Sequence, residues 1–184
     1  MSLSLTPEIL KPFTYNNIFV ETGSHTGGGI HVALYSGFRQ VRSIEIDPNF
    51  YQACVNTYKD DSRVKLYLGD SAIMLYEMIE DIKEPITFFL DGHLAKGSTL
   101  ASQEVPLLRE LEHIKRHPVK THTILIDDRR GFGWDKSVDP NLSEEWRNLT
   151  EGIIIEKLLE INPNYMIKTA DTSNAPNDLL VAEY

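Results

Sequence analysis

Six acidic residues stand at or just past the ends of five apolar segments in this 184-residue sequence. They are Glu21, Glu45, Asp70, Asp91, Asp127 and Asp128. Carboxylates in such positions can accept hydrogen bonds from hydroxyl and amino groups, cap the next helix, or bind a hard divalent cation. Each position therefore has to be judged from its surroundings.

The first acid opens a glycine-rich stretch, VETGSHTGGG, which runs from Val20 to Gly29. Its glycine spacing is not the G-x-G-x-x-G of a dinucleotide site, and no Gly-Lys-Ser/Thr ending marks a phosphate loop. Glycines allow a ligand to approach the backbone closely. Because Glu21 would repel a phosphate, the stretch favours a cationic or amine-bearing ligand. The alternative is a tight turn with a helix cap.

The next two acids suit a nucleoside. Glu45, in RSIEIDP, ends the second apolar segment, where an acid can accept hydrogen bonds from two ribose hydroxyls. Asp47 competes for that role, but Asp47 followed by Pro48 is typical of a helix start. In LGDSA, either Asp70 or Ser71 is placed to bond an adenine edge, and either can cap the following helix.

The remaining three acids suggest a metal site. Asp91 follows FFL, while Asp127 and Asp128 follow ILI. Unpaired, three such carboxylates would repel one another and raise their pKa values, and Mg²⁺ relieves this through oxygen ligands. The alternative is helix capping together with ion pairs to Arg129 and Arg130.

The pattern of apolar segments predicts the elements that position these acids. The predicted strands are Ile18–Glu21, Val41–Ile46, Val64–Leu68, Ile86–Leu90, Thr123–Ile126, Tyr165–Ala170 and Asp178–Tyr184. The predicted helices are Gly29–Ser36, Asn49–Lys59, Ser71–Ile82, Ser102–His117 and Ser143–Ile161. Alternation of strand and helix predicts a doubly wound, mostly parallel sheet of seven strands in one domain over 1–184. The last two strands are too close for a crossover helix, which predicts an antiparallel C-terminal hairpin.

The composition of the chain limits the classes of partner that it is expected to bind. The net charge of −9 argues against a nucleic-acid-binding surface. Neither a long apolar run nor a secretory signal is present, so no membrane partner is expected. The single cysteine, Cys54, excludes an internal disulfide framework and is predicted to be buried on a helix. We therefore expect a reducing compartment, the cytoplasm. A homodimer is left open.

VETGSHTGGG, SIEIDP, LGDS and FFLDGH, in this order, resemble the successive motifs of class I S-adenosylmethionine-dependent methyltransferases. The resemblance implies a Rossmann-like fold and a first loop that holds the methionine end of S-adenosylmethionine, which carries an ammonium and no phosphate. The residues then expected to contact the cofactor are Glu21, Gly23, Ser24, His25, Thr26, Gly27, Gly29, Glu45, Ile46, Gly69, Asp70, Ser71 and Asp91.

Asp91, Asp127 and Asp128 resemble the metal-binding triad of catechol and macrolide-sugar O-methyltransferases. In the catechol enzymes the third ligand is an amide, so an acid at position 128 is more similar to the triad of the sugar enzymes. The resemblance implies methyl transfer to a metal-bound hydroxyl of a small-molecule or glycan acceptor, with Mg²⁺ lowering the hydroxyl pKa.

The catalytic residues expected for this reaction are Asp91, with His93 as the base and Lys96 as the alternative base. Two other functions stay open: a metal-independent small-molecule O-methyltransferase and a non-catalytic S-adenosylmethionine-binding module. A nicotinamide dehydrogenase is disfavoured by the spacing of the first loop and by the terminal hairpin.

Overall fold

The computed structural model describes residues 4–93, 100–101, 103–134 and 143–184. Its centre is a seven-stranded sheet with the order β3-β2-β1-β4-β5-β7-β6. The strands are β1 (Ile18–Thr22), β2 (Gln40–Glu45), β3 (Val64–Leu68), β4 (Ile86–Leu90), β5 (Thr123–Ile126), β6 (Met166–Ala170) and β7 (Leu179–Glu183). Strand β7 pairs antiparallel with both β5 and β6, and the other pairs are parallel. The predicted sheet and its terminal hairpin are confirmed.

Helices cover both faces of the sheet. Among the described residues they are α1 (Pro7–Leu10), α2 (Gly28–Ser36), α3 (Pro48–Tyr58), α4 (Ser71–Ile79), α5 (Leu107–Arg116), α6 (Glu144–Asn148) and α7 (Glu151–Ile161). Short 3₁₀ helices occupy Lys11–Phe13 and Arg129–Gly131. None of the described helices is long and apolar enough to cross a bilayer.

The apolar runs of the central strands explain why two layers of helices are needed. Neighbouring strand residues point to opposite faces, and both faces are buried here. Val20 and Phe88 belong to one hydrophobic cluster, with residues of α4, α5 and α7. Phe19 and Phe89 belong to a second cluster, with residues of α1, α2 and α3. Cys54 of α3 is buried in this second cluster, as predicted.

The helix predicted over Ser71–Ile82 ends at Ile79, and two other predicted helices differ more from the structure in their bounds. The helix predicted over Ser102–His117 begins at Leu107, because Pro106 disfavours helical geometry in the residue before it, and the amides of Glu104 and Val105 donate to the carboxylate of Glu145. Pro106 then occupies the cap position. Ser102 itself lies outside the described residues.

The helix predicted over Ser143–Ile161 is two helices. Leu149 leaves helical geometry, with φ −87° and ψ 80°. Thr150 then caps α7, since its hydroxyl accepts a hydrogen bond from the Ile153 amide at 3.4 Å. A threonine followed by Glu151 is a sequence signal for a helix start that the apolar pattern alone had concealed.

Candidate functional site

The strand register brings the predicted acids to one edge of the sheet. Thr22 of β1 lies beside Leu90 of β4, and Leu90 lies beside Ile126 of β5. The next residues continue the ladder: the Asp91 amide donates to the Thr22 carbonyl at 3.3 Å, and the Asp127 amide donates to the Leu90 carbonyl at 3.2 Å. The strand order reverses between β1 and β4, which is where ligands bind in open α/β sheets.

Two cavities open at this edge. The first, called the strand-end cleft, encloses about 370 Å³. The second, called the acidic pocket, encloses about 410 Å³. Gly23, His25, Asp91 and His93 line both, so the two cavities share a wall.

Most residues predicted to contact the cofactor line one or both cavities. Those lining the strand-end cleft are Gly23, His25, Glu45, Ile46, Gly69, Asp70, Ser71 and Asp91. Those lining the acidic pocket are Glu21, Gly23, Ser24, His25, Thr26, Gly29 and Asp91. Gly27 lines neither cavity; it precedes α2 in a left-handed conformation, with φ 87°.

The loop after β1 is bound by two side chains of α3. The hydroxyl of Tyr58 donates to the Gly27 carbonyl at 2.8 Å, and the thiol of Cys54 lies 3.3 Å from the His25 carbonyl. On its other side the loop packs on the segment after β4, because a Cβ at Gly23 would lie 2.5 Å from the Asp91 carbonyl oxygen. Glycine at position 23 therefore lets two strand ends approach closely.

Glu21 is a buried carboxyl group at the floor of the acidic pocket, 2% exposed. It accepts a hydrogen bond from the Ser43 hydroxyl at 2.5 Å. Burial raises its pKa to about 8, and the Ser43 hydrogen bond opposes this only in part. A cationic group bound in the pocket would favour the ionised form of Glu21.

Glu45 is fixed at the floor of the strand-end cleft. Its Oε2 accepts from the His25 amide at 2.7 Å, and its Oε1 accepts from the Asp47 amide at 2.8 Å. Each carboxylate oxygen has a second lone pair, so this arrangement still permits hydrogen bonds from ribose hydroxyls. Asp47 caps α3 by accepting from the Asn49 amide at 2.7 Å, as predicted.

The two candidates for an adenine edge differ in what they contact. Asp70 caps α4 through one oxygen, which accepts from the Ala72 amide at 2.8 Å. The Ser71 hydroxyl instead donates to Oε1 of Glu110 at 2.6 Å. Asp70 is therefore the better placed hydrogen-bond acceptor at this end of the cleft. Glu110, 1% exposed, was not found by the sequence analysis.

The predicted metal triad is spread over two overlapping groups in which potential ligand atoms lie within 4.8 Å of one another. Asp91, His93 and Asp128 form one group, and Asp127, Asp128 and Asp178 form the other. His93 stands between two acids, with Nε2 3.0 Å from Asp128 and Nδ1 3.4 Å from Asp91. Asp128 thus belongs to both groups.

The electrostatics of these acids fit a cation. Burial and the charges of Asp127 and Asp128 raise the pKa of Asp91 well above its ordinary value. Burial also raises the pKa of Asp127, which a hydrogen bond from Ser4 opposes. Among the described residues, the buried Oδ1 of Asp127 has no hydrogen-bond partner. A carboxylate oxygen in that position costs stability unless something else satisfies it.

The predicted alternative, in which the arginines pair with the strand-end acids, is supported for Arg130 but not for Arg129. Arg130 forms ion pairs with Asp128 and Asp178, and Arg129 lies 2.7 Å from Glu151. Both arginines therefore balance nearby acids.

The ring of His93 packs against an aromatic side chain. Trp146 of α6 meets the His93 ring edge to face, with ring centroids 5.3 Å apart, and stacks on Phe132 at 6.3 Å. Trp146 was not among the residues predicted for the site, because it lies inside a segment predicted as one long helix. The alternative base, Lys96, lies outside the described residues.

Comparison with known proteins defines the class of the fold. No family model and no curated protein matches the chain. Among solved structures, a Staphylococcus aureus protein provisionally assigned as a caffeoyl-CoA O-methyltransferase has a TM-score of 0.64 over 100% of this chain and 84% of its own, at 18% identity. A provisionally assigned Streptococcus mutans methyltransferase in complex with S-adenosylhomocysteine has a TM-score of 0.62 over 100% of both chains, at 10% identity.

A third solved structure extends the likeness. A Podospora anserina methyltransferase with bound S-adenosylhomocysteine has a TM-score of 0.60 over 97% of this chain and 75% of its own, at 16% identity. The protein therefore has the Rossmann-like fold of S-adenosylmethionine-dependent methyltransferases. Sequence identities this low speak for the fold, and the activity is argued from the site.

Proposed function

We propose that the protein is an S-adenosylmethionine-dependent O-methyltransferase, a single domain over 1–184 that acts on a hydroxyl of a small acceptor with the help of a divalent cation. The observation that carries the proposal is the strand-end cleft, in which Glu45, Asp70 and Asp91 line one cavity at the switch point of a methyltransferase fold. The structural neighbours with bound S-adenosylhomocysteine support this choice of ligand.

The hydrogen-bond acceptors that line the strand-end cleft and the acidic pocket fit this cofactor. Glu45 would accept from the ribose hydroxyls, and Asp70 would accept from the adenine amino group. Glu21 and the loop around Gly23 would hold the ammonium-bearing methionine end. When bound, S-adenosylmethionine supplies an activated methyl group on its sulfonium. The chain's contribution is to orient the acceptor oxygen in line with that methyl group, which lowers the entropic part of the barrier.

Asp91, Asp127 and Asp128 would hold the cation, and the unpaired Oδ1 of Asp127 supports this assignment. Mg²⁺ is the expected ion because the donors are hard oxygens. Bound there, the ion would lower the pKa of an acceptor hydroxyl. His93, whose ring is oriented by Trp146, is the base that takes the hydroxyl proton.

For the acceptor we propose a sugar or glycan hydroxyl. An acid at position 128 supports a sugar over a catechol, by analogy with the sugar enzymes that the motif resembles. The net charge of −9 favours a small polyhydroxyl acceptor over a nucleic acid. A phenolic hydroxyl is the second candidate for the acceptor, because one structural neighbour is named as a caffeoyl-CoA O-methyltransferase.

Transfer of a labelled methyl group from S-adenosylmethionine tests the proposal. A panel of sugars, glycans and catechols is assayed with Mg²⁺ or with a chelator. We expect transfer to at least one hydroxyl acceptor, lost with the chelator and reduced about 100-fold or more in Asp127→Asn. The control is Asp60→Asn, an exposed acid remote from both cavities, which keeps full activity. If the rate of methyl transfer is unchanged by the chelator and by Asp127→Asn, the metal-assisted reaction is refuted.

A further inference from the structure

A buried acid on the far side of the strand-end cleft connects its two ends. Glu110 of α5 is 1% exposed and lines neither the cleft nor the acidic pocket. Its carboxylate accepts a hydrogen bond from the hydroxyl of Ser71 at the start of α4, and the hydroxyl of Thr22 at the end of β1 lies against the same side of Gly92 as the carboxylate. A buried carboxyl group costs stability unless such partners compensate for it.

One branch of this network leads to Asp91. The Asp91 amide is shared between two acceptors on Thr22, the hydroxyl oxygen at 3.2 Å and the carbonyl oxygen at 3.3 Å. Because the Thr22 hydroxyl and Oε1 of Glu110 both lie against the Cβ position of Gly92, the carboxylate is placed to orient that hydroxyl towards the amide. The chain Asp91 amide, Thr22 hydroxyl, Glu110 carboxylate therefore runs from the strand end into the core.

The same carboxylate also packs against the residue after Asp91. A Cβ at Gly92 would lie 3.0 Å from Oε1 of Glu110 and 3.1 Å from the Thr22 hydroxyl oxygen. The backbone after β4 is thus close to the acid, with little space between them. A change in the length or position of the Glu110 side chain would be transmitted directly to the Asp91–Gly92 segment.

The other branch leads to the opposite end of the cleft. Ser71 is the first residue of α4 and is buried, and its hydroxyl donates to Glu110 at 2.6 Å. The neighbouring Asp70 is the acceptor assigned above to the adenine amino group. A single carboxylate thus binds the segment at the nucleoside end and the segment at the reacting end.

We propose that Glu110 is a positioning residue for this site, which holds Asp91 through Thr22 and the start of α4 through Ser71, and so sets the spacing between the two ends of the cleft. The role in cofactor binding rests on the proposed function, whereas the effect on Asp91 does not. Burial raises the pKa of Glu110 to about 7, and the hydrogen bond from Ser71 and the nearby Thr22 hydroxyl oppose that rise. The two hydroxyls thus stabilise the carboxylate that orients them.

The first experiment needs no ligand. Amide hydrogen exchange at Asp91 is measured by NMR in the wild type, Glu110→Gln, Thr22→Val and the double variant. We expect exchange at Asp91 to be roughly fivefold faster than in the wild type in each single variant. The double variant should exchange at the same rate as the single variants, because both changes break the same chain of contacts. The matched control is Glu112→Gln, which changes a half-buried acid on the same helix that pairs with Lys157 and not with the site. Thr22→Val keeps the side-chain shape and tests the proposal even if Glu110→Gln does not fold.

The second experiment measures the dissociation constant for S-adenosylhomocysteine. We expect roughly tenfold weaker binding in Glu110→Gln, with Glu112→Gln at the wild-type value. A wild type that fails to bind, with the Asp91 effect intact, refutes the proposed function and leaves the positioning of Asp91 standing. Unchanged exchange at Asp91 in both Glu110→Gln and Thr22→Val overturns the inference. It is also overturned if the effects of the two substitutions on the exchange rate add up in the double variant.

Discussion

A Cβ added to Gly29 would lie 1.7 Å from Oε1 of Glu21. The second residue of α2 is therefore in direct contact with the carboxyl group at the end of β1. Glu21 cannot move aside freely, since it is buried and bonded to Ser43. Glycine at position 29 lets the helix start lie over the strand end, where the proposed ammonium site is.

Gly29→Ala tests this contact. We expect the free energy of unfolding to fall by about 1–3 kcal/mol, the usual cost of overpacking a buried site. S-adenosylhomocysteine should bind more weakly as well, because Glu21 is displaced. Gly152→Ala is the control: it lies exposed on α7, with no atom closer than 4.0 Å to a new Cβ. There alanine should stabilise by roughly 0.5–1 kcal/mol, so equal behaviour of the two variants in urea unfolding contradicts the assignment.

The raised pKa of Glu21 predicts a pH dependence of stability. The folded-state pKa of about 8 lies above the ordinary glutamate value of 4.5, so the folded protein retains a proton that the unfolded chain releases. This contribution to stability is complete below about pH 4.5 and is lost as the pH rises through about 8. Thermal unfolding from pH 5 to 9 should show a smaller decline in Glu21→Gln than in the wild type. Parallel curves refute the shift.

A buried histidine pair predicts the opposite trend in acid. His122 accepts from the Ile86 amide through Nδ1, and its Nε2 lies 3.1 Å from Nδ1 of His117. Burial lowers the pKa of His122 from 6.5 to about 3, so the unfolded chain takes up its proton first. Stability is complete above about pH 6.5 and is lost as the pH falls towards 3. His122→Gln should decline less steeply over this interval in urea unfolding, and an equal slope would show that another group dominates.

The hydrogen bond from Tyr58 to Gly27 predicts an effect on cofactor binding. Tyr58→Phe removes the donor and leaves the ring, so we expect a loss of stability of about 0.5–1.5 kcal/mol. Binding of S-adenosylhomocysteine should weaken several-fold because the loop loses a support. Tyr51→Phe, on the same helix, is the matched control and should bind as the wild type does. Equal affinities of the two variants in calorimetry would show that the loop keeps its shape without this bond.

The fold was largely predictable because its signals are local. Apolar segments such as Phe88–Leu90 mark buried strands, and a short final connection requires antiparallel pairing. Asp47 and Pro48 give a cap that depends only on neighbouring residues. The exceptions were helix bounds that depend on tertiary contacts, as where Glu145 binds the amides before α5.

The site was predictable in part for the same reason. Acids at strand ends are visible in sequence, and the switch point brings them together. Glu110 and Trp146 were missed because their roles depend on contacts with distant residues, Ser71 and His93. On a helix, a glutamate and a tryptophan carry no local sign of such contacts. The division of the acids into two groups that share Asp128 likewise depends on side-chain positions that a strand pattern does not contain.

The most direct test of the account is titration of the purified protein with S-adenosylhomocysteine in a calorimeter, beside ADP as a phosphate-bearing nucleoside. We expect saturable binding of one S-adenosylhomocysteine per chain, markedly weakened in Glu45→Gln, and no measurable binding of ADP. At a hundredfold excess over its dissociation constant, the ligand should also stabilise the fold by about 2.7 kcal/mol. No binding of S-adenosylhomocysteine, or equal binding of ADP, would contradict the central claim.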